Sequence, residues 1–136
     1  MAAPREQYDE VYVYAMSRPG FLLQHVADAF AAQTVDCNSK PISIVFALAG
    51  LYLHVERHFS GFQVQKVHTL LARRRRWWPH VPLPTERGRI TVIDVLAANA
   101  GQERDESIHA WCQSVWSSFH DSRTTIIALL AEYDIH

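Results

Sequence analysis

The chain has 136 residues, a length typical of one domain that buries roughly 65–70% of its unfolded surface and needs neither disulfides nor a structural metal. Its formal net charge of −1 gives no electrostatic reason to expect nucleic acid or an anionic membrane as a partner. Its two cysteines, Cys37 and Cys112, lack a Cys-x-x-Cys spacing, and no apolar leader is visible, so we expect free thiols in a cytoplasmic protein.

Two helices are predicted before residue 36. The first includes Tyr8 and Val11; its residues also favour strands, but no partner strand is evident. The second follows a break at residues 17–20. Residues at helical spacing form its apolar side, namely Leu22, Val26, Ala29, Phe30 and Gln33. Because an unpaired amide on that side is costly, we expect Gln33 to bond to a backbone group across a helix contact.

The most apolar stretch lies in the middle of the chain. Residues 42–53 carry no charge, and Ser43 is their one polar side chain. With Pro41 well placed in a first helical turn, this run predicts a central helix over residues 41–59 that other segments bury. A transmembrane interpretation fails, because twelve helical residues rise only ~18 Å against a ~30 Å hydrocarbon core.

Capping patterns predict where the next helices begin. Ser60 with Gln63 matches a capping box, and Thr91 with Asp94 gives a second N-terminal signal. Between them, residues 77–84 contain three prolines, which cannot continue a helix. We therefore predict that this segment is an extended strap over the bundle.

Two amphipathic stripes complete the chain. One begins at Asp105 and includes Cys112, which would be a buried, inert thiol, and the other follows Asp121 or Ser122. No internal repeat or low-complexity segment is present. The sequence therefore predicts one all-α domain over residues 1–136, a bundle of five to seven helices around the central helix.

Histidines near the end of the central helix are the first candidates for a site. His54 and His58 are four residues apart, a helical spacing at which two imidazoles can share a metal ion. Glu56 would point to the opposite side, because two residues turn a helix by about 200°. His25 and Asp28 would supply further ligands, although a regular helix directs Asp28 away from its apolar side. The candidate metal ligands are His25, His54 and His58, and structural histidines are the alternative.

Two further polar features have both functional and structural interpretations. Glu56 follows the apolar run directly, so its carboxylate can have a raised pKa and act as acid or base, or it can pair with an arginine, which is commoner. Four residues form one flank of a later helix, namely His109, Gln113, Trp116 and His120. That flank would line a cleft or pack against a neighbouring helix or a second subunit.

Four arginines followed by two tryptophans, at residues 73–78, suggest contact with phosphates and bases. Four consecutive residues on a helix spread over some 300°, however, and cannot present one basic stripe. We therefore expect these arginines to stabilise a helix C-terminus and form ion pairs, without binding nucleic acid.

Several segments together resemble a bacterial family of small helical proteins of unknown function. They are residues 24–33 (QHVADAFAAQ), 40–42 (KPI), 47–56 (ALAGLYLHVE), 87–92 with 94–96, and 111–116 (WCQSVW). The resemblance extends over nearly the whole chain from Tyr8. It implies no established activity.

The resemblance does indicate which polar residues belong to characteristic segments, namely His25, Asp28, Gln33, His54 and Glu56. It also implies departures at Thr34 and His58, where related members carry His and Gly. A His54/His58 metal clamp would then not be common to the family. A site built from His25, Asp28, His54 and Glu56 is favoured instead.

Two classes of function follow. The first is a binding module for a small molecule or a divalent metal, or a weakly defined enzyme, with His25, Asp28, His54 and Glu56 as ligand-binding residues. The second is a non-catalytic interaction protein whose histidines are structural and whose tryptophan flank forms a homodimer. The sequence identifies no catalytic residue, reaction or cofactor.

Overall fold

The computed structural model describes residues 4–136 and has seven α-helices within that range, which confirms the all-α class. Short 3-10 turns at Pro19–Phe21 and His120–Ser122 precede the second and the last helix. Over the described residues, none of the helices is both long and apolar enough to cross a membrane. The helices are α1 (Pro4–Met16), α2 (Leu22–Thr34), α3 (Pro41–Arg57), α4 (Gly61–Arg74), α5 (Val92–Ala97), α6 (Gln102–Ser118) and α7 (Arg123–Ala131).

Two helices share the centre of the bundle. α3 packs against α2, α4, α6 and α7, and α2 packs against α1, α3, α4 and α6. Ile44, Leu48 and Leu51 of α3 are at most 5% exposed, so the apolar run lies in the core as predicted. Because α2 has neighbours on several sides, polar residues on more than one of its faces are drawn into the interior.

Both predicted capping patterns begin helices. At the start of α4, the Ser60 hydroxyl accepts from the backbone N–H of Gln63 at 3.2 Å, and the Gln63 side chain accepts from the Ser60 N–H at 2.8 Å. Thr91 and Asp94 form the same reciprocal pair at the start of α5. These bonds satisfy amides that a helix N-terminus leaves without partners.

The strap is also present, since residues 75–90 contain neither helix nor strand. Val81 is buried in the core, and Trp78 and Leu83 are partly buried against it. Three apolar side chains thus anchor a segment whose prolines exclude a helix. The strap is part of the cover of the core.

Gln33 joins the end of the strap to two helices. Its amide nitrogen donates to the carbonyl oxygens of Arg87 at 3.2 Å and Ile90 at 2.8 Å. Its amide oxygen accepts from the indole nitrogen of Trp111 in α6 at 3.0 Å. The expected backbone bonds of Gln33 are therefore confirmed, although they lead to a loop and not to a helix.

Leu48→Ala should destabilise the protein by about 2–5 kcal/mol, because the side chain is 0% exposed and its removal leaves a cavity between packed helices. Chemical denaturation of the two proteins measures the difference. Ile93→Ala, at a position 58% exposed on α5, is a control that should cost less than about 0.5 kcal/mol. A cost near zero for Leu48→Ala would contradict the central position of α3.

Candidate functional site

Three histidines from three helices meet at one end of the bundle, and we call them the histidine cluster. His25 of α2 and His54 of α3 stack face to face, with ring centroids 3.6 Å apart and planes inclined by 17°. Nδ1 of His109 in α6 lies 2.8 Å from Nε2 of His54. The predicted convergence of His25 and His54 is confirmed, and His109 joins them.

The cluster lines an open pocket of about 640 Å³, a volume within the range of small-molecule sites. We call this space the histidine pocket. Besides the cluster, its wall contains Pro19, Gly20, Leu22, Val55, His58, Phe59, Ser60, Asp105 and Gln113. Seven of the twelve lining residues have polar side chains, so the pocket offers a ligand several hydrogen-bonding groups beside apolar surface.

Burial keeps the two inner histidines uncharged at neutral pH. Desolvation, followed by the proximity of His54 and His109, lowers the pKa of His25 to about 3. Desolvation and then the proximity of His109 lower the pKa of His54 to about 4. Since an unperturbed histidine has a pKa of about 6.5, these two rings present neutral bases and not cations.

An ion pair lies in the pocket wall next to His109. Asp105, one helical turn before His109, accepts hydrogen bonds from the Arg18 guanidinium at 2.7 to 3.1 Å and from the Tyr14 hydroxyl. Burial opposes ionisation of Asp105, but these hydrogen bonds outweigh it and hold the pKa of the carboxyl below its usual range. The carboxylate in the pocket wall is therefore already paired.

Asp28 does not line the histidine pocket. It is 5% exposed, and its Oδ2 lies against Gly50 of α3, with a Val64 methyl of α4 nearby. The sequence placed Asp28 away from the apolar side of α2 and did not indicate that it is buried, because α4 also packs against α2. Desolvation raises the pKa of Asp28 well above its usual range, because burial disfavours the charged carboxylate.

A short hydrogen-bond network connects this acid to α4. The Gln24 amide donates to Oδ1 of Asp28 at 3.1 Å and lies 3.5 Å from Nδ1 of His68. Nε2 of His68 donates to the Phe46 carbonyl at 2.8 Å, so Nδ1 is left as an acceptor. The network ties α2, α3 and α4 together, while Oδ2 of Asp28, like Nδ1 of His25, is buried without a hydrogen-bond partner within the described structure.

Glu56 faces α6 and α7 instead of the histidine cluster. Its carboxylate accepts from the Arg123 guanidinium at 2.6 to 3.1 Å and from the Trp116 indole at 2.7 Å. The bonds from Arg123, aided by that from Trp116, hold the pKa of Glu56 below its usual range. Arginine pairing is therefore confirmed, and Glu56 does not form one site with His25 and His54.

His58 lies in the pocket wall but not on a helical face shared with His54. α3 ends at Arg57, and His58 has φ 59°, in the left-handed region that favours glycine. That conformation agrees with the glycine that the resemblance implies at this position. The predicted helical His54/His58 pair was wrong, because the helix ends before it is complete.

The candidate metal ligands His25, His54 and His58 are not arranged around one point. Stacked rings do not direct their nitrogens at a shared ion, as metal-bound histidines must. Among residues 4–136, no group of three His, Cys, Asp or Glu is placed to hold a metal ion. The arrangement instead suits hydrogen bonding to a ligand.

The α6 flank divides between the pocket and the core. His109 and Gln113 line the pocket, whereas Trp116 is 5% exposed and bonded to Glu56. Trp116 is therefore not available for the predicted homodimer surface. Helical spacing left a cleft and a packed interface as alternatives for His109, and the structure places it in the pocket wall. Its contact with His54 depends on how α6 packs against α3, which spacing does not reveal.

The chain matches the model of one known protein family. A family model described as Family of unknown function (DUF5946) matches residues 3–120. The chain belongs to this family. The matched range includes the whole histidine cluster. No curated protein and no solved structure shows significant similarity to the chain. Membership confirms the resemblance to a family of unknown function and assigns no activity.

Some arginines of the run at residues 73–76 contact other parts of the fold. Just after α4, Arg75 donates to the Trp77 carbonyl at 2.6 Å and to Glu132 at 2.8 Å, and it lies 5.4 Å from the Trp77 ring centroid. Arg76 donates to the Arg73 carbonyl at 3.1 Å. These contacts are the helix-end and ion-pair roles expected for a structural run.

We accordingly predict that the protein does not bind oligonucleotides at physiological salt. Fluorescence anisotropy with labelled single- and double-stranded oligonucleotides, at low and physiological salt, measures this. Micromolar binding would contradict the prediction if log affinity fell with log salt concentration with a slope of around −3 to −4, as expected for four phosphate contacts. Replacing all four residues 73–76 with glutamine should then abolish that binding.

Proposed function

We propose that this protein binds a small organic molecule in the histidine pocket and that His25, His54 and His109 form the polar part of the site. The observation that supports this most is the contact of three imidazoles from three helices in the wall of one open pocket. Pockets in which polar groups converge beside apolar surface are typical of ligand sites.

A purely structural role explains the cluster less well. Nδ1 of His25 is buried and has no hydrogen-bond partner within the described structure, and burying such a group costs free energy. Apolar side chains at positions 25 and 54 would fill the same space without that cost. Polar groups that lie beside a pocket, although their burial lowers the stability of the fold, are characteristic of functional sites.

The electrostatics of the pocket indicate which ligands it favours. Burial keeps His25 and His54 neutral, and Asp105 is paired with Arg18 at 2.7 Å. A strongly charged ligand would therefore find no unpaired counter-charge among these groups. We infer a ligand that is uncharged or weakly acidic and is recognised by hydrogen bonds and apolar contact.

In this proposal, Asp28 and Glu56 support the site from behind and do not contact the ligand. Glu56 ties α3 to α6 and α7 through Trp116 and Arg123. Asp28 fills the space over Gly50 and so fixes the separation of α2 and α3. Both carboxyls thereby set where the histidine rings stand.

Ligand-observed NMR with a library of small polar fragments tests the proposal. We expect fragments that bind the native protein to lose their saturation-transfer signals with His54→Ala. They should keep those signals with His120→Ala, which removes an exposed histidine outside the pocket. Circular dichroism checks that both variants fold. Equal binding by His54→Ala would contradict the proposal.

Elemental analysis of the natively purified protein separates an organic ligand from a metal. We expect no stoichiometric transition metal. A metal held at one equivalent, and lost in His25→Ala and His54→Ala, would favour the metal-binding alternative over an organic ligand.

Self-association is a second candidate, on a different surface from the one predicted. Val13 and Met16 of α1 are 66% and 64% exposed, with Tyr12 beside them at 38%. Exposed apolar side chains grouped on one helix favour a protein partner. Sedimentation velocity tests for a dimer that Val13→Glu dissociates, and a monomer at high concentration would contradict this candidate.

We further propose a reducing, cytoplasmic location. Cys37 is exposed and Cys112 is buried, and both are free thiols. Burial raises the pKa of the Cys112 thiol, which makes it inert. Localisation of a fluorescent fusion in the native host tests this proposal, and export would contradict it.

A further inference from the structure

The hydrogen bonds of the cluster indicate which ring nitrogens carry protons. Nδ1 of His54 lies 3.4 Å from the Phe59 carbonyl oxygen, and a carbonyl can only accept, so this nitrogen is the donor. In a neutral His54, Nε2 is then an acceptor. The 2.8 Å contact with Nδ1 of His109 is therefore a bond that His109 donates.

This direction leaves a lone pair on the outer nitrogen of His109. A neutral imidazole has one donor and one acceptor nitrogen, so a His109 that donates through Nδ1 presents an unprotonated Nε2. His109 is the exposed member of the cluster and lines the pocket. A base that is open to a ligand is thus held in position by a second, deeper histidine, which is the arrangement of an oriented general base.

We infer that Nε2 of His109 accepts a proton from the ligand, and that the ligand carries a weakly acidic O–H or N–H group of the phenol, enol or azole type. This inference rests on the proposed binding function of the same pocket. In the transfer, the O–H or N–H bond of the ligand breaks and an N–H bond forms at Nε2. The electron pair stays on the ligand, which is then held as an anion beside an imidazolium.

The groups around His109 determine where a proton taken from the ligand is held. Asp105, one turn earlier on α6, is close enough for its carboxylate to interact electrostatically with His109. Burial disfavours a charge on His25 or His54, so the proton stays at the outer position. The ionisable groups that share this environment are His25, His54, His58, Arg18 and Asp105.

His54 is a positioning residue for His109. Its Nε2 accepts from the His109 ring, its Nδ1 donates to Phe59, and its face is stacked on His25. These three contacts fix its orientation and leave it no part in proton transfer with the ligand. Replacing His54 by a ring without nitrogens, which removes the acceptor of this bond, should therefore change the tautomer of His109.

Side-chain tautomers can be measured without a ligand. Long-range proton–nitrogen correlation spectra of the 15N-labelled protein near neutral pH should show His54 and His109 with the proton on Nδ1, with His109→Gln and His54→Phe assigning the signals. His54→Phe keeps an aromatic ring on His25, and we expect it to shift His109 toward the Nε2–H form. A native His109 already in the Nε2–H form would overturn the inference.

4-Nitrophenol is a suitable probe of proton transfer, because it is a weak acid whose colour reports ionisation. Below its solution pKa, the native protein should raise the phenolate absorbance in a saturable way. His109→Gln should reduce the apparent affinity for the phenolate at least about tenfold, as expected for the loss of a hydrogen bond to a charged group. His120→Gln, which alters a histidine outside the pocket, should leave it unchanged.

Three outcomes would overturn this inference: no saturable binding of 4-nitrophenol, binding without ionisation, or equal ionisation by His109→Gln. Binding of neutral fragments that depends on His54 would still support the proposed function in each case. Loss of both signals would reject the pocket as a ligand site.

Discussion

Gly50→Ala should destabilise the protein by about 3 kcal/mol, although alanine is the better helix former. In an unobstructed helix interior, the change would stabilise by about 0.5–1 kcal/mol. Here a Cβ at position 50 would lie 1.9 Å from Oδ2 of Asp28 and 3.1 Å from a methyl of Val64. Overpacking of this kind costs about 1–3 kcal/mol or more, and it outweighs the gain in helix propensity. Chemical denaturation measures the difference.

The Asp28→Ala background identifies the cause. If the carboxyl is the obstacle, its removal opens space for the new methyl, and Gly50→Ala should cost much less there than in the native chain. Residues in such direct contact show coupling energies of about 0.5–3 kcal/mol in double-mutant cycles. An unchanged cost in the Asp28→Ala background would show that Val64 or the α2 backbone is the obstacle.

This contact also explains a limit of sequence reasoning. The pattern of α2 predicts one apolar side, and it is correct for Val26 and Ala29, which are 0% exposed. A helical projection assigns all positions outside that apolar side to solvent. In the structure, however, four helices pack against α2. Asp28 is buried because α4 covers a second side of α2. The packing of α4 against α2 cannot be predicted from the residues of α2 alone.

Local signals predicted the fold more fully than the site. The uncharged run of α3 and the capping boxes at Ser60 and Thr91 depend on short-range physics, and the structure confirms them. His58 is the exception, because its left-handed backbone ends α3 before the predicted residue. No side-chain periodicity indicates that conformation.

The contacts of the candidate site residues join positions far apart in the chain. His54 and His109 are 55 positions apart, and Glu56 and Arg123 are 67 apart. The sequence could indicate that Glu56 pairs with an arginine but not with which one. It placed His25 and His54 at the polar ends of apolar helices, and their convergence follows from the packing of α2 on α3.

Acidification from about pH 6.5 to about pH 5 should destabilise the protein through His25 and His54. Their pKa values are about 3 and about 4 in the folded state, against 6.5 for an unperturbed histidine. Within this window the unfolded state binds more protons, so the free energy of unfolding falls as the pH falls. Each fully shifted group changes it by up to about 1.4 kcal/mol per pH unit. Their stabilisation is complete only above about pH 6.5.

Asp28 acts in the opposite direction over the same window. Burial raises its pKa well above the usual 3.8 in the folded state, so at this carboxyl the folded protein binds more protons than the unfolded chain does. Its contribution to the free energy of unfolding increases as the pH falls and partly offsets that of the histidines. Burial also lowers the pKa of His68, so three histidines act against one acid, and we expect a net loss of stability on acidification.

Two isosteric variants separate these contributions. Asp28→Asn removes the acid and should steepen the loss of stability on acidification, while making the protein more stable near neutral pH. His25→Phe keeps an aromatic ring stacked on His54. It should make the fall of the unfolding free energy on acidification shallower by about one proton. Urea denaturation at several pH values between about 5 and about 7 gives the slopes. Parallel profiles for the native protein and both variants would show that burial does not shift these groups, and would remove the electrostatic basis for a pocket of neutral histidines.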